Sequence, residues 1–280
     1  MSNQLIVLEN QIPKSRAKKL FQEFLFAWKK SSTKEKLAWS KDSLILFVKV
    51  FARRLKGFFQ FIRLVSQKIT IEVIDIRNAI YNKDLTEHLS QRASAASNSL
   101  REGYRTSKQI TKNFITLLRT NPGETAPVLF LSILGFFVGA GFDRSEIKTW
   151  YDIDGGVPDL DIVFGGIGNH RSVFFHSIIS AAVLESMIFA LVNATKIIHS
   201  NLPDNYDPFW DKIVNKTDWA TAFAAGACTG IAYHLLIDGT IDGRKAMTDF
   251  PFKMSMEGHN TFFVTNAIIE GLDVTKKGKV

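Results

Sequence analysis

The segment from Asp152 to Ser177 reads DIDGGVPDLDIVFGGIGNHRSVFFHS and concentrates carboxylates, imidazoles and glycines in a short stretch. Carboxylate oxygens and neutral imidazole nitrogens are the usual protein ligands of divalent ions. Asp159 and Asp161 are two residues apart, so an extended backbone would point both carboxylates to one side, toward a shared ion. The segment therefore favours a metal site on a glycine-rich loop. The alternative is an ordinary turn in which aspartates cap the next helix.

A second pair of ligand-type residues lies further along the chain. His234 and Asp238 are four residues apart at the end of an apolar run that stops at Gly239. On a helix this spacing puts both side chains on one face, one turn apart. We therefore predict that residues of the two segments form a single metal centre.

Composition limits the chemistry and divides the chain. Of the 280 residues 46% are apolar, and Cys228 is the single cysteine, which excludes an internal disulfide and a cysteine-based zinc cage. Residues 1–122 carry 23 Lys and Arg against 9 Asp and Glu, whereas residues 123–280 carry 12 against 18. The Asn121-Pro122-Gly123 sequence lies at this change of charge and is typical of a break. We predict a basic helical N-terminal region, 1–122, and a helical metal-binding domain, 123–280.

The basic region has the pattern of long amphipathic helices. No proline occurs between Pro13 and Pro122, which suits uninterrupted helix. Residues 43–68 set a Phe-rich apolar stripe beside a cationic stripe made of Lys49, Arg53, Lys56, Gln60 and Arg63. This pattern fits a helix lying on membrane lipid and equally fits a bundle helix with a solvated basic face. Nucleic acid is an unlikely partner, because the sequence contains no recognised nucleic-acid-binding module.

Three apolar segments, 126–142, 172–192 and 219–237, have the length of buried or membrane-spanning helices. Their small residues favour close helix packing in either solvent. The fold class predicted from these patterns is all-α. We expect a helical bundle with a loop-borne metal site, preceded by the basic amphipathic helical region. The first residues lack a cleavable signal peptide, so we expect the basic N-terminal region in the cytoplasm.

The ordered motifs Pro158-Asp159-x-Asp161, His170-Arg171 followed by His176-Ser177, and His234-x-x-x-Asp238 resemble the bacterial inner-membrane metal-dependent hydrolase family. That family is similar in outline to helical zinc phospholipases C, and some members are under SOS-type control. The resemblance covers about residues 126–240. In this chain six positions separate the two histidines where the family has five, and the family's early histidine has no clear counterpart.

The resemblance implies hydrolysis by metal-activated water at the inner membrane. The ligands expected from it are Asp159, Asp161, His176, His234 and Asp238. The expected ion is zinc, with manganese or magnesium as alternatives. His170 is then a further ligand or a general acid, and Arg171 holds a phosphate oxygen with its guanidinium fork. Supporting roles near the ion are expected for Glu185, His259 and Asp154. The expected substrate is a phosphoester, and a lipid-borne phosphoester belongs to this class. The alternative is a non-enzymatic membrane-associated structural or effector protein in which the metal only locks the bundle.

Overall fold

The all-α prediction is confirmed by a computed structural model, which describes residues 15–141, 155–166, 171–241 and 246–277. These residues form helices and their connections, and none of them lies in a β-strand. The helices are α1 (Arg16–Lys30), α2 (Thr33–Asn82), α3 (Leu85–Thr120), α4 (Pro122–Ala140), α5 (Leu160–Gly165), α6 (Ile178–Ser200), α7 (Phe209–Val214), α8 (Thr217–Thr240) and α9 (Met256–Lys277).

Helices α4 and α8 form the closest contact of the bundle. Gly135 and Gly139 on α4 lie against the backbone of α8, and Gly226 and Gly230 on α8 lie against the backbone of α4, each pair being four residues apart. A Cβ on Gly139 would overlap the backbone carbonyl of Ala227, so this approach requires the absence of a side chain. Glycines at this spacing let helix backbones meet where no hydrophobic effect drives association, as in lipid. We call this contact the glycine seam.

Three helices, α4, α6 and α8, are long and apolar enough to cross a membrane. Their best windows have mean hydropathies of 1.6, 1.8 and 1.4, and that of α4 is only 17% buried within the protein. Phe130, Ile133 and Phe137 of α4 are among the large exposed apolar side chains. The predicted segment 172–192 began too early, because residues 173–175 form a turn and α6 starts at Ile178.

The first half of α2 is a bundle helix rather than a free cationic surface. Arg54 is completely buried and its guanidinium bonds to Glu185 of α6 and Glu270 of α9. Arg53, which the sequence pattern assigns to the cationic stripe, bonds to Glu185 and Asp273. Two arginines thus neutralise carboxylates that would be costly to bury alone. These contacts cross the predicted division at residue 122, which itself stays a prediction.

Helix α1 is held to the segment that connects α6 with α7 and to the start of α7 by ion pairs, hydrogen bonds and apolar contacts. Arg16 donates two hydrogen bonds to Asp207, at 3.0 and 2.8 Å. Trp210 donates its indole N–H to Glu23 at 2.8 Å. Ala27 packs with Trp210 in a small apolar cluster beneath these polar contacts. The first helix is therefore part of the folded body.

The second half of α2 continues away from the bundle as one unbroken helix. It ends at Lys83, whose left-handed φ of 61° turns the chain into α3. Arg92 of α3 pairs with Glu72 and Asp75 of α2 beside this turn. The β-branched run near residue 70, which locally resembles a strand, is helical here because it continues a helix already nucleated at Thr33.

Candidate metal centre

Four buried side chains point one atom each at a common centre. His176 Nε2 lies 3.6 Å from Asp159 Oδ1 and 3.6 Å from Asp238 Oδ2. His234 Nε2 lies 3.7 Å and 3.5 Å from the same two oxygens. One ligand atom from each of Asp159, His176 and His234 lies within 4.8 Å of the other two, which is close enough for the three residues to hold one ion. We call these four atoms the ligand ring.

The dimensions of the ligand ring suit a metal ion better than direct hydrogen bonds. N–H···O bonds in proteins are usually about 2.7–3.2 Å long, which is shorter than every edge of the ring. With these four edges, a planar arrangement of the atoms would place each of them about 2.5 Å from a central ion. Zinc takes imidazole nitrogen at about 2.0–2.1 Å and carboxylate oxygen at about 2.0–2.2 Å. A small inward movement of the four side chains would give zinc distances.

The opposite atom of each imidazole is held by a neighbouring acceptor. His234 Nδ1 lies 2.8 Å from the carbonyl oxygen of Ala140, the last residue of α4. His176 Nδ1 lies 3.2 Å from Asp161 Oδ2. A proton on His234 Nδ1 donates to the Ala140 carbonyl and leaves the Nε2 lone pair directed into the ligand ring, while Asp161 supplies a negative charge beside Nδ1 of His176. Histidines that bind metals almost always have such a partner on the other nitrogen.

The opposite oxygen of each carboxylate is held by a donor. Gly155 N–H donates to Asp159 Oδ2 at 2.7 Å. Arg171 donates to Asp238 Oδ1 at 2.9 Å, and its side chain is almost fully buried. Each carboxylate is thus oriented with the remaining oxygen toward the centre, where Asp238 Oδ2 accepts no hydrogen bond from the described residues. Preorganisation of all four groups lowers the conformational entropy that an ion must remove on binding.

Glycines and one strained residue shape the chain around the ligand ring. Gly155 and Gly156 have φ values of 86° and 78°, in the left-handed region where a side chain is unfavourable. Gly156 also lies so close to Gly141 that a Cβ on either would overlap the other's backbone. Arg171 has φ 70° despite its side chain, a strained conformation that recurs at functional sites. Arg171 thus adopts this unfavourable backbone conformation at the position from which its guanidinium donates to Asp238.

The site carries excess negative charge around His176. Burial opposes the charged imidazolium, but the carboxylates of Asp159, Asp161 and Asp238 outweigh it and raise the pKa of His176 to about 9. The environment therefore selects a positive charge at this position. A divalent ion would supply that charge in place of the proton, since metal ligands must be deprotonated.

The structure places the five predicted ligands in two roles. Asp159, His176, His234 and Asp238 form the ligand ring, whereas Asp161 lies behind His176 at its other nitrogen. The Pro-Asp-x-Asp segment is not extended and corresponds to the alternative of a turn with an aspartate cap: Asp159 is the N-cap of α5 and Asp161 lies in its first turn. Residues two apart on a helix diverge, so the two carboxylates reach opposite sides of the imidazole. Asp161 also accepts the backbone N–H of Ser172 at 2.8 Å.

The remaining predicted residues are dispersed. Arg171 donates to Asp238, as described above, while His170 and Asp154 lie outside the described residues. Glu185, expected near the ion, instead joins the two arginines of α2. His259 accepts a hydrogen bond from the backbone of Met247 at 3.4 Å. Sequence reasoning missed the backbone groups of Gly155 and Ala140, which carry no side-chain signal.

Exposed apolar side chains occur on the segments that carry the candidate metal centre and on the neighbouring segment at residues 249–252. Val163 and Phe164 of α5 are 74% and 76% exposed, and Phe174 and Phe252 are also exposed. Asp249 connects this region by accepting from the Ser172 hydroxyl and the Val173 N–H at 2.7 and 2.6 Å. We call Val163, Phe164, Phe174 and Phe252 the apolar collar. Large apolar groups concentrated beside a polar centre are typical of a surface that meets another apolar phase or molecule.

Comparisons with protein-family models, with curated proteins and with solved structures find no match to this chain. The resemblance of its motifs to a hydrolase family therefore rests on the motif residues alone.

Proposed function

We propose that the protein is a membrane-associated, metal-dependent hydrolase that acts on a phosphoester. The observation that carries the proposal is the ligand ring, in which four side chains direct one atom each inward while the other atom is held. Divalent ions in such sites activate water and stabilise the negative charge that develops in hydrolysis. The three helices with membrane-spanning length support a membrane location. We place the protein in the bacterial inner membrane with its basic N-terminal region in the cytoplasm.

Zinc is the ion that the donor set favours. Two imidazoles and two carboxylates suit zinc, whereas magnesium prefers oxygen ligands and retains several waters. Manganese, which accepts a mixed nitrogen and oxygen set, is the second choice. The buried, low-solvent position of the ring strengthens every electrostatic interaction within it.

The residues around the ligand ring have distinct proposed roles. Asp161 and Arg171 are positioning residues, which act through His176 and Asp238 respectively. The proposed contact of Arg171 with a phosphate oxygen would use guanidinium N–H groups other than the one donated to Asp238. His170 remains the proposed general acid or additional ligand.

The apolar collar supports a phosphoester attached to a lipid. A substrate with acyl chains would contact Val163 and Phe164 while its phosphate approached the metal centre. A small polar phosphoester would gain nothing from these side chains. The collar thus favours the lipid-borne member of the predicted substrate class.

A structural role for the ion is the second candidate, and a specific observation favours it. Asp159, His176, His234 and Asp238 are all at least nine-tenths buried, and four protein ligands are typical of closed structural zinc sites. Catalytic zinc sites usually keep one position open. Under this reading the ion locks α6 and α8 to the loop before α5.

One pair of variants tests the proposal. His234→Ala should abolish stoichiometric zinc in the purified protein and hydrolysis of a phosphodiester presented in vesicles. His199→Ala, which changes an exposed histidine paired with Asp211, should affect neither. Zinc content unchanged by His234→Ala would contradict the metal centre.

A second measurement separates enzyme from structural protein. Zinc-loaded wild-type protein that hydrolyses no phosphoester, yet loses its thermal transition on chelation, would support the structural role. Measurable hydrolysis that disappears in Asp161→Asn, with the fold retained, supports the enzyme.

A further inference from the structure

Helix α3 has an apolar face and a basic face, and no other part of the described chain covers either of them. All residues from 91 to 113 are exposed, and the helix buries no residue at all. Leu100, Tyr104 and Ile110 are 76%, 70% and 63% exposed. An isolated helix is marginally stable in water, so a helix this long and bare needs a partner.

The apolar and basic residues of α3 are separated by face. At 3.6 residues per turn, the apolar residues of its second half fall within an arc of about 160° and the basic ones within about 60° beside it. The apolar face consists of Leu100, Tyr104, Ile110, Phe114, Ile115, Leu117 and Leu118. The basic face consists of Arg101, Arg105, Lys108, Lys112 and Arg119. Glu102 is the single acidic residue from 88 to 123, so the positive charge is hardly offset.

Only one residue separates α3 from α4, which is the least buried of the three helices found long and apolar enough to cross a membrane. Asn121 has the non-helical angles φ −138° and ψ 66°, and Pro122 is the first residue of α4. The chain therefore bends between the two helices. The C-terminal end of α3 is thereby fixed near the level at which α4 would enter a bilayer.

We propose that α3 lies in the headgroup layer of a bilayer and binds anionic lipids. Its apolar face enters the acyl boundary, while the neighbouring arginines and lysines contact lipid phosphates. Basic amphipathic helices with Phe, Tyr and Leu opposite the charge bind membranes in this way. Anionic headgroups complement the basic face, with each Lys or Arg near the surface contributing attraction. This inference concerns lipid binding and holds whether or not the metal centre is catalytic.

One other surface and one other partner are less suited to this arrangement. The cationic stripe of α2, the region whose sequence pattern first suggests lipid binding, is partly occupied because Arg53 pairs with Glu185 and Asp273 of the bundle. A nucleic acid would engage the basic face of α3 but would leave its broad apolar face in water. A bilayer satisfies both faces at once.

Hydrogen exchange of the full-length protein in lipid nanodiscs tests the proposal. Peptides covering residues 91–113 should exchange about tenfold more slowly in discs with anionic phosphatidylglycerol than in purely zwitterionic discs. High salt should remove the difference, because it screens exposed charges. Equal exchange in both lipids would overturn the proposal.

Charge variants test whether the protection by anionic lipid arises from the basic face of α3. Replacing Arg101, Arg105, Lys108 and Lys112 by Gln should abolish the lipid-dependent protection of residues 91–113. A control in which the exposed Lys18, Lys29, Lys34 and Lys41 become Gln removes the same charge and should retain it. Equal loss in both variants would mean that net charge alone is responsible and would overturn the assignment to α3.

A third arm distinguishes lipid from nucleic acid. Leu100→Ser with Ile110→Ser keeps the basic face and removes apolar contact, so it should weaken protection by anionic lipid at least severalfold. Protection of residues 91–113 by duplex DNA, with none from anionic discs, would overturn the proposal in favour of a nucleic-acid partner.

Discussion

Asp161→Asn is expected to weaken zinc binding although Asp161 lies outside the ligand ring. Its Oδ2 atom is 3.2 Å from His176 Nδ1, on the far side of the imidazole from the ion. The substitution replaces a charged acceptor by a neutral amide, so His176 becomes a weaker and less well oriented ligand. Loss of such outer partners typically costs 10- to 100-fold in metal affinity. At saturating zinc this corresponds to about 1.4–2.7 kcal/mol less stabilisation of the folded state by the ion.

The assay is competition for zinc between the purified protein and a chromophoric chelator. Asn keeps an oxygen that accepts the Ser172 N–H, so the loop should stay folded, which circular dichroism checks. Asp211→Asn provides a matched control, because Asp211 forms an exposed pair with His199 at 2.7 Å. Wild-type zinc affinity in Asp161→Asn, or an equal decrease in Asp211→Asn, would refute the reasoning.

Three further outcomes are expected. Arg54→Met should destabilise the protein by about 3–5 kcal/mol, because it leaves buried carboxylates without their cation, whereas Lys56→Met should have little effect; denaturant titration in detergent compares them. Gly139→Leu should separate the glycine seam and lower the thermal transition, and an unchanged transition would contradict the packing. The hydrogen bond from Arg16 lowers the pKa of Asp207 to about 2 from an ordinary 3.8, so this pair stabilises α1 docking above pH 3.8. That contribution should disappear as the pH falls through 2, and Asp207→Asn should flatten the acid limb of the tryptophan fluorescence transition.

Local spacing rules account for the parts of the site that could be predicted. His234 and Asp238 share one face of α8 because residues four apart on a helix do so whatever surrounds them. Asp159 and His176 were identified as ligand types in a glycine-rich segment, and the chain brings them together. Asp161 was predicted to be a ligand but lies at the other nitrogen of His176. Its direction depends on whether the backbone is extended or helical. That choice is made by the turn at Gly155, whose N–H fixes Asp159.

Ion pairs between residues far apart in the sequence could not be predicted from local patterns. Arg53 has the same place in the amphipathic stripe as Lys49, yet it is paired while Lys49 is exposed. The difference arises from carboxylates more than 130 residues away, on α6 and α9. The all-α class, by contrast, follows from periodicity and from the absence of proline across the first half of the chain.

The hydrogen bond between His234 and the carbonyl that ends α4 has a thermodynamic consequence. The same carbonyl belongs to α4, the helix whose glycines pack on α8. Binding of the ion and association of α4 with α8 are therefore thermodynamically coupled. Coupling of this kind is reciprocal. Chelation should therefore loosen α4 from α8 in the apolar interior, and a bulky residue placed between them should reduce affinity for the ion from more than one helical turn away.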